Sequence, residues 1–158
     1  MNNQFVNLSF QTIISLVFIL WNVGLSGQEF NEKSVKSEVL REMDLFYNQM
    51  RAIDLQWMDY LSSDAAAVHN GEFISHNEFL RLEKDFFNAL KKLEITVLTK
   101  PVVYVLGDEA ASVTQEHSVN TWYKTGQEYK DIKQMMTFIW HKRKGKWKIV
   151  HSSFTTKA

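Results

Sequence analysis

The chain has 158 residues, 45% hydrophobic and 13% aromatic, which suits a single domain with a packed core. Eighteen Lys and Arg balance eighteen Asp and Glu, so bulk charge points to neither nucleic acid nor an anionic membrane surface. There is no cysteine, which excludes disulfides, thiolate nucleophiles, cysteine metal sites and a lipid-bearing N-terminal cysteine.

The first 27 residues carry no charged side chain, and Ile13 to Trp21 form an apolar core of signal-peptide length. Gly24 and Ser26 suit cleavage after Ser26, with Gly27 as the neighbouring choice. Residues 1–27 therefore predict export, to a secreted or periplasmic location. The alternative is an uncleaved anchor over Leu8 to Leu25, the one route by which a membrane would become a partner. A single domain is expected over 34–156.

From Ser34 the apolar residues Val35, Val39, Met43, Phe46, Met50, Ile53, Trp57 and Tyr60 recur at three and four. This predicts one long helix with a buried face, capped by Ser34 or Ser37 and stopped by Ser62-Ser63-Asp64. Asp54 falls on or beside that face and needs a partner or a wet cavity. Ala65 to Ile74 reads as a short strand broken at Asn70-Gly71. Ser75 and Glu78 then open a second helix as a capping box, followed by Phe79, Leu82, Phe86 and Leu90. From Glu94 the period changes to two, and long strands follow through Phe154, joined at Gly107-Asp108-Glu109, Thr125-Gly126 and Lys142 to Lys146. Pro101 marks an edge or a bulge. The order is α+β: helices first, then four long strands plus a short one in a meandering antiparallel sheet.

Asp54, Ser63-Asp64-Ala65, Gly71, Val105 to Thr114, Gly126, Thr137 to Trp140 and Gly145 to His151 follow one another in a recognisable order. Over roughly residues 38 to 154 the chain resembles the nuclear transport factor 2-like superfamily, in its SnoaL-like, ketosteroid-isomerase-like branch. The resemblance implies a cone-shaped curved sheet wrapped on N-terminal helices, with a cavity at its open end. It also implies a homodimer through the outer sheet face. Related sequences often close on His-x-His, whereas here His151 is followed by Ser152 and Ser153. The isomerase-type Tyr and Asp pair has no clean placement, so no catalysis is carried over.

Strand alternation puts Ala111, Val113, Gln115, His117, Val119, Thr121 and Tyr123 on one face. In the second run of the last hairpin, Trp147, Ile149, His151 and Ser153 share another. In a cone fold these faces meet Trp57, Tyr60 and Asp54. The expected ligand-binding set is Trp57, Tyr60, Gln115, His117, Trp140 and His151, an aromatic wall with a few polar groups that suits a small apolar or amphipathic molecule. Two further readings compete with this one. In one, Asp54 and His117 act as acid and base in an isomerase, cyclase or dehydratase. In the other, a non-catalytic dimeric interaction domain has its cavity filled by core side chains. No cofactor is implied. No metal site is expected, since His69 and His76 straddle a turn and a helix cap and Glu116 faces away from His117 by strand alternation, and the Lys142 to Lys146 turn lacks the aromatic ladder expected of a nucleic-acid surface.

Overall fold

Residues 31–156 are described by a computed structural model. Helix α1 (Glu32–Arg51) buries Val35, Val39, Met43 and Phe46, the stripe marked by the three-and-four spacing, and Tyr47 beside it. Its N-cap is Asn31, whose side-chain oxygen accepts the Ser34 N–H at 3.0 Å, so Ser34 lies one turn inside the helix. The helix ends at Arg51, eleven residues before Ser62, where the stop expected from the sequence begins. Ile53 there adopts a left-handed φ of 56°. The Asp54 N–H reaches back to the Gln49 carbonyl at 3.0 Å and the Ile53 N–H to Met50 at 2.9 Å, closing the helix with reciprocal backbone bonds. A 3-10 helix (Leu55–Tyr60) follows and keeps Trp57 buried, which is why the apolar spacing runs on past the break.

Strand β1 (Leu61–His69) contains Ser62, Ser63 and Asp64 as strand residues. Asn70 and Gly71, both at positive φ, turn it into β2 (Glu72–Ile74) as a two-residue hairpin. Helix α2 (His76–Ala89) begins after Ser75, whose hydroxyl accepts the Glu78 N–H. The Glu78 carboxylate pairs with Arg81 at 2.7 Å rather than completing a capping box. β3 (Leu90–Val97), β4 (Val102–Gly107), β5 (Ala110–Tyr123), β6 (Glu128–Arg143) and β7 (Lys146–Thr156) complete one seven-stranded sheet in the order β2-β1-β7-β6-β5-β3.

The α+β architecture with helices packed on a curved, open sheet agrees with the sequence reading, with two corrections: the sheet has seven strands where four long ones and a short one were expected, and it is not wholly antiparallel. The sheet is mixed, because β1 runs parallel to β7, with Ala66 opposite His151 and Ala67 opposite Ser152. β3 and β4 succeed one another along the same edge of β5, β3 against 117–123 and β4 against 110–114. Pro101 lies in the break between them, where it removes no ladder bond. The Thr99 hydroxyl fills the gap by accepting the Glu116 N–H at 3.0 Å.

β7 also departs from simple alternation. Trp140 pairs with Ile149 but Ile139 pairs with His151, so Val150 is an extra residue, a β-bulge. The buried positions shift accordingly, from Trp147 and Ile149 to Ser152. At the other end of α1, Glu38 accepts from Lys142 Nζ at 2.9 Å and Trp147 Nε1 at 3.0 Å, tying the helix to the β6–β7 hairpin. Those bonds, Lys142 foremost, hold the Glu38 carboxyl below its usual range. Among the described residues no helix is long and apolar enough to cross a membrane.

At the centre of the core, Phe46 meets the rings of Tyr47, Trp57, Tyr60, Phe138 and Trp140 edge-on, at centroid distances of 5.3 to 6.1 Å. Phe46→Ala leaves five rings without their common neighbour, and the expected loss of unfolding free energy is about 3–5 kcal/mol. Urea denaturation measures it, and a loss under about 1 kcal/mol would show that the surrounding rings close the gap.

Candidate functional site

A cavity of about 400 Å³ lies between α2 and the inner face of the sheet. Its aromatic wall is made by Phe46, Trp57, Phe79, Phe86, Phe138 and Phe154, supplemented by aliphatic residues such as Leu61, Leu93, Ile95 and Val119. Phe46, Trp57, Phe138 and Ser152 are buried, while Leu82 is exposed and His69, Glu83 and Gln134 are half-buried. The last four therefore lie towards solvent. The His69 ring rests on Phe154, with centroids 4.4 Å apart.

Helix α2 contributes Phe79, Leu82, Glu83 and Phe86, spaced as one helical face. Glu83 stands out among them. It makes no hydrogen bond or ion pair with any described residue. Burial alone pushes its carboxyl up from 4.5 to about 7, with no neighbouring charge contributing. The residue is half-buried and borders the open cavity space. Sequence reading passed over Glu83. The available signal was an acidic side chain four residues after Phe79 and three before Phe86, inside an apolar stripe.

Of the six expected ligand-binding residues, Trp57 borders this cavity. Trp140 is fully buried beside Phe46 and Tyr60 and belongs to the solid core. Tyr60 borders a separate polar groove with Glu38, Asp59 and Lys148. His151 does not line the cavity, because the bulge at Val150 brings Ser152 and Phe154 there in its place.

Gln115 and His117 do point inward, at 3% and 0% exposure, but they lie under α1 rather than at the cavity wall. Gln115 Nε2 contacts His117 Nε2, and the His117 ring sits 5.0 Å from that of Tyr47. Arg51 stands over the Tyr47 ring, 5.7 Å from its centroid. Burial, with a smaller contribution from Arg51, lowers the His117 pKa to about 4. The imidazole is therefore neutral at physiological pH. Burial likewise raises the Tyr47 hydroxyl, against a smaller lowering from Gln115 beside it, and His117 Nδ1 has no hydrogen-bond partner among the described residues. Asp54, the second expected acid/base residue, caps the 3-10 helix by accepting the Gln56 N–H at 2.9 Å. The structure does not bring Asp54 and His117 together with the cavity. Among the described residues no three His, Cys, Asp or Glu side chains converge to hold a metal ion.

The raised Glu83 carboxyl has a measurable consequence. Between about pH 4.5 and 7 the folded protein holds a proton that the unfolded chain has lost, so stability falls as pH rises through that window. Glu83→Gln removes the ionisation. The variant should gain stability over the wild type at about pH 8, on the order of 1–3 kcal/mol, and little at about pH 5. Thermal melts at the two pH values test this, and an equal effect at both would refute it.

Comparison with known proteins adds a family match. The model of the SnoaL-like domain matches residues 39–156. No curated protein matches the chain. Among solved structures, a nuclear transport factor 2-like superfamily protein from Salmonella enterica superposes with a TM-score of 0.68 at 17% identity, covering 81% of this chain and 94% of its own. A Streptomyces avermitilis protein of that family, provisionally named a dehydratase, gives 0.69 at 16% identity, over 80% and 99%. The association domain of C. elegans CaMKII gives 0.63 at 21% identity, over 78% and 96%. At these identities the likeness concerns the fold.

Proposed function

Within the SnoaL-like family, to which this chain belongs, we propose that the protein binds a small, largely apolar molecule in the cavity between α2 and the sheet. The observation that carries this reading is a space of about 400 Å³ bounded by six aromatic residues and few polar ones. That size and lining match those of ligand pockets, and packed cores leave few voids larger than a water molecule. Neither Asp54 nor His117 borders the cavity, so the reading does not rest on them.

The neutral fluorophore N-phenyl-1-naphthylamine tests it. Its fluorescence should rise and saturate at one probe per protomer. Val119→Phe, which adds bulk at the cavity wall, should weaken binding by at least about tenfold while leaving the circular dichroism unchanged. Absence of saturable binding in the wild type, or undiminished binding in a folded Val119→Phe, would sink the proposal.

The same reading includes a homodimer formed through the outer sheet face and export of the mature chain. Val102, Tyr104 and Leu106 on β4 are all exposed large apolar residues at alternate positions, with Met135 of β6 nearby on the outer face. Such a row is costly to leave in water. The C. elegans neighbour, an association domain, is compatible with pairing of this fold. The uncharged leader over 1–27, which lies outside the described residues, supports export. Native mass spectrometry of protein from its own host should give twice the mass of a chain lacking its first 26 or 27 residues, and Tyr104→Glu should give the monomer. A full-length monomer would contradict both points.

A further inference from the structure

Among the described residues Glu83 is the only acidic one bordering the cavity, and no Lys or Arg borders it. His69 is the other titratable group there, and its ring is engaged against Phe154. The cavity wall includes Phe79, Leu82 and Phe86 on the same helix as Glu83, and Val119 and Met136 on the sheet. The carboxylate therefore borders open space with no hydrogen bond, no ion pair and no counter-charge from any described residue. A carboxylate so placed is costly to ionise, and that cost is recovered when an opposite charge arrives beside it in the same apolar surroundings. A neutral ligand cannot return it, and an anionic one adds to it.

We infer that the cavity selects a primary amine carried on an apolar body, with the ammonium group against the Glu83 carboxylate and the body among the aromatic rings. The inference rests on the cavity being a binding site and adds the chemical class of its ligand. An ammonium is a compact charge with three donors, enough to meet both carboxylate oxygens, and N⁺–H···O⁻ bonds are among the stronger hydrogen bonds. The ring-lined remainder discriminates little among apolar bodies of similar size. Specificity is therefore concentrated at one contact, the one between the ligand's polar end and Glu83.

Three probes with one body separate the possibilities: 4-phenylbutylamine, 4-phenylbutanol and 4-phenylbutyrate, titrated calorimetrically into the intact protein at about pH 8, above the Glu83 value of about 7. The amine should bind at least about tenfold more tightly than the alcohol, and the carboxylate most weakly. In Glu83→Gln the preference for the amine should collapse to within about threefold, with the alcohol's own affinity little changed. Equal affinity of amine and alcohol in the wild type, or a preference that survives in the variant, overturns the inference while leaving a binding cavity in place. Failure of all three probes, together with failure of N-phenyl-1-naphthylamine, overturns the cavity reading and this inference with it. The wild-type series decides even if the variant does not fold.

Discussion

The edge-on meeting of five rings at Phe46 is the contact on which the rest of this structure depends. It joins α1 to the 3-10 helix through Trp57 and Tyr60, and to the sheet through Phe138 and Trp140. Each such pair contributes roughly 0.5–1.5 kcal/mol beyond the burial of its surface. Phe46, Trp57 and Phe138 serve twice, since their remaining surfaces form the deep wall of the cavity. The wall is therefore held by the same packing that holds the fold. Its shape is set before any ligand arrives, which lowers the ordering cost of binding.

Local features were legible in the sequence where local chemistry decides them. Asn70-Gly71 and the glycine of the last hairpin turn the chain at positive φ because their side chains permit it, and Ser75 caps α2 for an equally local reason. The end of α1 was not legible. Helices that close in the left-handed region usually spend a glycine or asparagine there, and this one uses Ile53, a β-branched residue that gives no warning. The apolar spacing continues into the 3-10 helix and conceals the break. Strand β1 was missed at its start for a non-local reason. Ser62-Ser63-Asp64 has the composition of a stop, and what places it within a strand is the pairing of Leu61 and Ala66, on either side of it, with β7 more than eighty positions away.

The site separates in a similar way. Alternation along β5 correctly marks Gln115 and His117 as inward, but a face has more than one destination beneath it. Here the inward face leads partly to the cavity, at Val119, and partly to a polar cluster under α1 with Tyr47 and Arg51. Periodicity records direction and carries no information on which of these two regions a side chain enters. Glu83 was hidden by the opposite habit, that of reading a helix face from its apolar members. A charged residue within such a stripe contradicts it, and in this chain the contradiction coincides with the cavity.

The bulge at Val150 has a bearing on how such a cavity can change. One additional residue in β7 decides that a serine, and not the histidine before it, borders the cavity. The polarity of that wall is thus stored in the count of residues as well as in their identity. Substitution alters one side chain at a time, whereas gain or loss of a single residue in this strand exchanges every group beyond it between the two faces. A scaffold with a tolerated bulge can accordingly move between different linings in one step, with its composition almost untouched and its aromatic centre, which is carried by α1, the 3-10 helix and β6 rather than by β7, left in place.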